Sequence, residues 1–459
     1  MEPRVRSSQF HARNGAAGFR LVSPHGAPTK RRDALAGMVL RDNIREKQMW
    51  CRGNYSAMRA IPAIILLCTA FNLGYAQAEP SAETIARGKA LADAAGCASC
   101  HTADPAKPFA GGKRIDTPFG GIYSPNLTPD RDTGLGAWSD DDFYRALRHG
   151  IAPDGSRYYP AFPYPNFTKL IRDDILAIRA YLATLAPISN RPPQAELRWP
   201  LNYRVLMRGW DFLFFRPGIF EPDQQKSPEW NRGGYLVEGA AHCGTCHTPK
   251  NLFGADKRGR AYGGGFVQGW FAPRLDSAER AGLKSWSTDD IVEYLQSGRN
   301  GKSHAGGLMA EVVVHSTSVM SDADVRAIAV YLKDLPAGKR EPAVIPPSPE
   351  LLADGEKIYK WACIACHEVD GSGAPRIYPP LPDNANLQSA DPSSALRIIL
   401  DGAQTVTTPR APNTGSMPAY AEKLSDQAIA DVTNYIRNAW GNAAPLVTPA
   451  QVAKARREK

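Results

Sequence analysis

Methionine is absent from residues 79–206, and beyond residue 78 cysteine occurs in only three places. Charge is equally spare there. Twelve of the 55 Lys and Arg and four of the 46 Asp and Glu fall within residues 1–78, leaving 43 against 42 for the rest. The formal +9 of the whole chain is therefore a property of its first 78 residues, and the remainder carries no electrostatic footprint for nucleic acid. No G-x-G-x-x-G follows a strand pattern, so the sequence offers no nicotinamide or flavin site, and substrate chemistry must belong to another subunit. Long apolar runs are also missing. The one at 60–71 is too short for the roughly 20 residues of a membrane span. It follows Met58-Arg59 and precedes Ala76-Gln77-Ala78, the order of a secretory signal over 58–78. Residues 1–57 then read as an over-called start, with translation from Met58. Leu67 before Cys68 is too large for a lipoprotein site.

What is present is a motif used three times. Cys51 and Cys68 lie in the leader, and the other six cysteines form Cys97-Ala98-Ser99-Cys100-His101, Cys243-Gly244-Thr245-Cys246-His247 and Cys363-Ile364-Ala365-Cys366-His367. C-x-x-C-H is a c-type haem attachment site. Two thiols one helical turn apart can each add to a vinyl group, while the adjacent histidine binds the iron. Zinc would not require a histidine after each pair, and the motifs are too far apart for a finger or ribbon. A redox-active C-x-x-C would need a βαβ setting that the sequence does not show. Three covalently bound haem c groups and export to the periplasm follow.

Each motif sits between two helical patterns, a repeat with the period of one domain. The opening patterns carry Gly88, Gly234 and Gly355, where a second helix could approach closely. The closing patterns carry Tyr181, Tyr331 and Tyr435 at equivalent places, expected to pack on the opening helix. The expected fold is mainly α, with three tandem cytochrome c domains of class I at 79–186, 227–335 and 351–442. Between them lie a Pro- and aromatic-rich connector (187–226) and a Pro-rich linker (336–350). A short charged tail (443–459) is expected to lie on a surface at most. Residues 202–220 are too aromatic for a floppy spacer, and are expected to pack across the first two domains or meet a partner.

The sixth ligand follows from the same repeat. "WSDDDFYRALRHG" at 138 aligns with "WSTDDIVEYLQSG" at 286. Met309 lies 62 residues after His247, Phe162 lies 61 after His101, and Met417 lies 50 after His367. A thioether opposite histidine favours ferrous iron. His101, His247 and His367 are thus expected as proximal ligands, with Met309 and Met417 distal. Phe162 stands where a ligand belongs and cannot serve as one. Met207, His149 or a five-coordinate iron are the alternatives for the first site. Met320 is expected in the core, and His242, His304 and His315 in packing or surface roles.

The stretches "YSPNLTPDRDTGLGAWSDDDFYRALRHG", "CGTCHTPKNLFGA" and "GSMPAYAEKLSDQAIADVTNYIRNAWGN" resemble the triple-haem cytochrome c subunit of periplasmic, membrane-associated dehydrogenases for alcohol, gluconate, sorbitol and fructose. The resemblance implies an electron-transfer subunit without catalysis of its own. It would take electrons from a flavoprotein, quinoprotein or molybdenum hydroxylase and pass them toward ubiquinone or a terminal oxidase. Its place would be the periplasm, associated peripherally with the outer face of the inner membrane. In the alcohol and sugar enzymes the first loop looks like "YPAMPY", whose methionine binds the first iron. "YPAFPYP" looks more like relatives that accompany molybdenum hydroxylases of aldehydes or aromatic heterocycles. The reading from another class is a haem enzyme or small-ligand binder that uses a five-coordinate first iron.

Overall fold

The computed structural model describes residues 79–339, 344–413 and 415–458. The leader and signal readings, with Cys51 and Cys68, lie outside the described residues. Helices of eight residues or more among those described are α1 (Ala82–Ala94), α2 (Asp140–His149), α3 (Arg172–Ala183), α4 (Leu206–Phe214), α5 (Pro228–Tyr235), α6 (Thr288–Ser297), α7 (Gly307–His315), α8 (Asp322–Asp334), α9 (Pro349–Ala362), α10 (Ser393–Asp401), α11 (Asp426–Asn438) and α12 (Pro449–Arg457). Strands are few and short. β1 (Arg114–Thr117) pairs antiparallel with β2 (Gly120–Tyr123), and β3 (Glu196–Leu197) joins β2. β4 (Gly265–Val267) pairs with β5 (Trp270–Ala272), and β6 (Ala403–Gln404) with β7 (Ser416–Met417).

Local sequence explains the helix ends. Ser139 and Ser287 each cap a helix through a reciprocal bond with the aspartate three residues on, Asp142 and Asp290. Gly150 and Gly298 end the same helices at φ 64° and 74°, a conformation that costs glycine nothing. The aligned W-S-x-D-D…G pattern is therefore one capped helix built twice.

Three crossings of an opening and a closing helix organise the chain: α1 with α3, α5 with α8, and α9 with α11. A Cβ placed on Gly88 would sit 1.8 Å from the Ala177 carbonyl oxygen, on Gly233 2.0 Å from that of Ala327, and on Gly355 2.1 Å from that of Asp431. Those carbonyls lie one turn before Tyr181, Tyr331 and Tyr435, which fixes the three crossings as equivalent. The second crossing is made by Gly233, not by the expected Gly234. A π-helical turn at Leu236–Ala240 inserts one residue between helix and motif, shifting the register. Gly234 is approached by the rings of Phe220 and Tyr331 instead.

Although the crossing recurs three times, the buried cores number two among the described residues. Leu91, Phe143, Ile175 and Ile178 are continuous with Leu236, Ile291, Val325 and Ile328, so the first two units share one interior. Met320 belongs to it. The Tyr235 hydroxyl donates to Asp174 (2.5 Å), Ser316 to the Ala94 carbonyl (3.1 Å) and Lys113 to Glu311 (2.5 Å) across the same junction. The third unit's core gathers Tyr359, Leu396, Ile429, Val432 and Val452. It meets the second unit through Ser394, which bonds both backbone groups of Phe271 at 2.9 Å, and through the ion pairs Arg376–Glu293 and Arg410–Asp322.

Two peripheral segments are structural. Ile188 and Asn190 bond back to the first unit through Asn126 and Ala110, and α4 buries Met207 and Asp211 against protein. The C-terminal segment, expected on a surface, docks on the third unit's core instead. Val447 and Val452 are buried there, and Arg456 bonds Asp426 (2.9 Å).

Candidate functional site

The three C-x-x-C-H segments each form a short helical turn, at Cys97–His101, Gly244–His247 and Ile364–His367. Helical geometry puts the two thiols of each pair on one side, and all six cysteines are free of disulfides. Burial pushes Cys97 and Cys243 up to about 12 and Cys363 to about 11. Activated thiols and zinc-binding thiols need the opposite shift. Among the described residues no three His, Cys, Asp or Glu converge to hold a bare metal ion.

Each histidine is oriented by a proline carbonyl. His101 Nδ1 lies 2.7 Å from the Pro125 oxygen, His247 Nδ1 2.6 Å from that of Pro273, and His367 Nδ1 3.2 Å from that of Pro379. A carbonyl can only accept, so Nδ1 carries the proton in all three and Nε2 presents its lone pair. Such a second partner fixes ring direction and raises ligand basicity. Burial lowers all three imidazoles, His101 to about 4, and keeps them neutral at physiological pH. Paired thiols, a directed neutral imidazole and a tautomer fixed by backbone are the donor set that covalently attached haem requires.

Backbone positions those prolines. β2 and β5 run into Pro125 and Pro273, so each hairpin delivers its carbonyl to the neighbouring histidine. The scaffolding around the first two sites agrees bond for bond. Thr102 Oγ1 accepts from Phe109 N–H at 3.0 Å and Thr248 Oγ1 from Tyr262 N–H at 3.1 Å. Phe109 and Tyr262 both have left-handed φ, and their carbonyls accept from Leu127 and Leu275 at 2.9 Å. In the third unit Glu368 replaces the threonine, and Pro379 follows a bridge between Ala374 and Tyr378. Reasoning from sequence misses these prolines, because a backbone acceptor leaves no side-chain signature. Their recurrence after each motif is the available signal.

Met309 lies half-buried near the start of α7, against the shared core that also takes Cys243. Met417 lies half-buried in β7 against the third unit's core, as does Cys363. Phe162 packs among Tyr158, Tyr164 and Phe167, with ring centroids 5.4, 6.4 and 5.6 Å away. The connector folds over this loop: Tyr159 donates to the Asn202 carbonyl (3.1 Å) and Tyr164 to Asp211 (2.5 Å). His149 ends α2 edge-on to Tyr144 at 6.2 Å. His242 bonds the Ala95 carbonyl (3.2 Å) and so serves the junction of the first two units. Cys246 is raised mainly by burial, and the thiolate of Cys100, from a different motif, adds to that shift.

Residues 85–186 and 352–440 match the cytochrome c family. Over 78% of its own length the chain is 40% identical to a component of the nicotinate dehydrogenase of Pseudomonas putida, and it spans 30% of that relative. It is 40% identical to the cytochrome c subunit of the quinone alcohol dehydrogenase of Gluconobacter oxydans, covering 86% of each chain. To the gluconate 2-dehydrogenase cytochrome c subunit of Pantoea cypripedii it is 37% identical, covering 88% of this chain and 96% of the relative.

Proposed function

Because this chain belongs to the family of dehydrogenase cytochrome c subunits, electron-transfer components and not catalytic ones, we propose that it is the triple-haem electron carrier of such a complex. When bound, haem c supplies a one-electron ferric/ferrous couple. Cys97 and Cys100, Cys243 and Cys246, and Cys363 and Cys366 attach one group each. His101, His247 and His367 would hold the irons, and Met309 and Met417 would complete the second and third. The observation that carries this reading is the threefold bond from a motif histidine to a proline carbonyl beside two unbridged thiols.

The chain takes electrons from a catalytic dehydrogenase subunit, a flavoprotein, quinoprotein or molybdenum hydroxylase, and delivers them to ubiquinone or a terminal oxidase. It works in the periplasm, associated peripherally with the outer face of the inner membrane. Similarity to a nicotinate dehydrogenase component supports a partner that oxidises an aromatic heterocycle, as does the Phe162 loop. A pyridine haemochrome assay on the exported chain should return three haems. Co-purification should recover a dehydrogenase that reduces them when given its substrate. Fewer than three haems, or an oxidase recovered without any dehydrogenase, would overturn the reading.

A further inference from the structure

The connector turns a large apolar surface outward. On α4 the side toward protein carries Met207 and Asp211, continued by Phe215, all buried, while the outward side carries Val205, Leu206, Phe212 and Leu213. Phe212 is 81% exposed and Trp199, in the approach to the helix, 79%. The patch continues onto the loop after the second motif. Trp210 Nε1 donates to the Phe253 carbonyl (2.9 Å), the Phe214 and Phe253 rings lie 5.7 Å apart, and Leu252 beside them is 92% exposed.

Charge within residues 197–219 is almost all of one sign. From Leu197 to Ile219 the only acidic residue is Asp211, buried and paired with Arg157 at 3.0 Å. Arg198, Arg204, Arg208 and Arg216 are all exposed, and Arg216 bonds backbone carbonyls. Exposed Trp, Phe and Leu ringed by arginine match a lipid interface, where aromatics enter the headgroup level and cations meet anionic phosphate. Among the described residues no helix is long and apolar enough to cross a membrane.

We propose that the face formed by Trp199, Phe212, Leu213 and Leu252, with Arg198 and Arg208, binds the surface of an anionic phospholipid membrane. This names the surface behind the peripheral association put forward above and rests on that part of the reading. Charge complementarity favours lipid over a protein partner, because the segment that carries the arginines offers them no exposed carboxylate, and a bilayer offers phosphate at every contact.

The test uses the haem-loaded exported chain in co-sedimentation with vesicles of phosphatidylcholine containing about 30% phosphatidylglycerol, against pure phosphatidylcholine. The expected result is binding to the anionic vesicles that weakens with salt. Phe212→Ser with Leu213→Ser should lower affinity about tenfold or more. Arg198→Gln and Arg208→Gln should lower it about fivefold each. All four positions are exposed, so an unchanged haem spectrum verifies folding. No binding by the natural chain, equal binding to neutral vesicles, or variants that bind as tightly would overturn the proposal. So would variants that keep vesicle binding but lose the dehydrogenase, which would make the face a protein interface. Absent vesicle binding with substrate-driven haem reduction intact sinks only the surface, whereas absent reduction with vesicle binding intact sinks only the electron-carrier reading.

Discussion

At Phe162 a ring fills, by repeat position, the place where Met309 stands in the second unit, and it packs within an aromatic cluster. Phe162→Met should raise the midpoint of the first haem by on the order of 100 mV, a fraction of the ~0.8 V that axial ligands span. Redox titration measures this, and carbon monoxide binding to the reduced protein should fall in parallel if the natural iron is five-coordinate. Met417→Ala should lower the third midpoint by a similar amount, through loss of the thioether's preference for ferrous iron. His304 provides a pH test. Its Nε2 is buried without a hydrogen-bond partner, and burial, with the nearby Arg299 charge, lowers it to about 4. The unfolded value is about 6.5, so the folded chain resists this proton. Stability from this source is intact above about pH 6.5 and declines as pH falls toward about 4, by on the order of 2 kcal/mol. Denaturant melts between those two pH values should show that slope, and His304→Gln should flatten it.

The helix crossings show where a sequence pattern suffices and where it fails. Gly88 and Gly355 can be picked out because only a residue without Cβ fits under a carbonyl at that distance. Counting back from Cys243 gives Gly234, since nothing in "GGYLVEGAAHC" announces a π-helical turn. Gly355→Ala should destabilise the third unit by roughly 3 kcal/mol, because backbone must move. Gly233→Ala should cost more than Gly234→Ala, whose new methyl meets only the rings of Phe220 and Tyr331. Chemical denaturation of the three variants decides the order. The capped helices α2 and α6 are fully legible in the sequence, since a capping box and a terminal glycine are local devices. The docking of the C-terminal helix is not. Val452 is a single buried contact in a charged segment, and its partners, Ile429 and Val432 among them, belong to the third unit's core.

For the whole molecule, the decisive fact is that three repeats are housed in two interiors. A chain ending at residue 339 retains all of the first core and should fold with two haems in one cooperative transition. A chain ending near residue 186 would expose Leu170, which lies against Gly239, and Asp174, which accepts from Tyr235, and should aggregate. Haem counting and calorimetry on both truncations check this. The sequence conveys the number of repeats, because attachment chemistry is written in side chains, but not their fusion, which rests on complementary surfaces distant along the chain. That fusion has a kinetic corollary. Because the first two units share packed side chains, electron transfer between their proposed haems should not depend on one unit rocking against the other. Past the second unit the joint includes solvent-facing pairs, Arg376 with Glu293 and Arg410 with Asp322, that salt weakens. Ionic strength should therefore slow transfer across the joint to the third unit more than transfer between the first two, whose junction rests on a shared core.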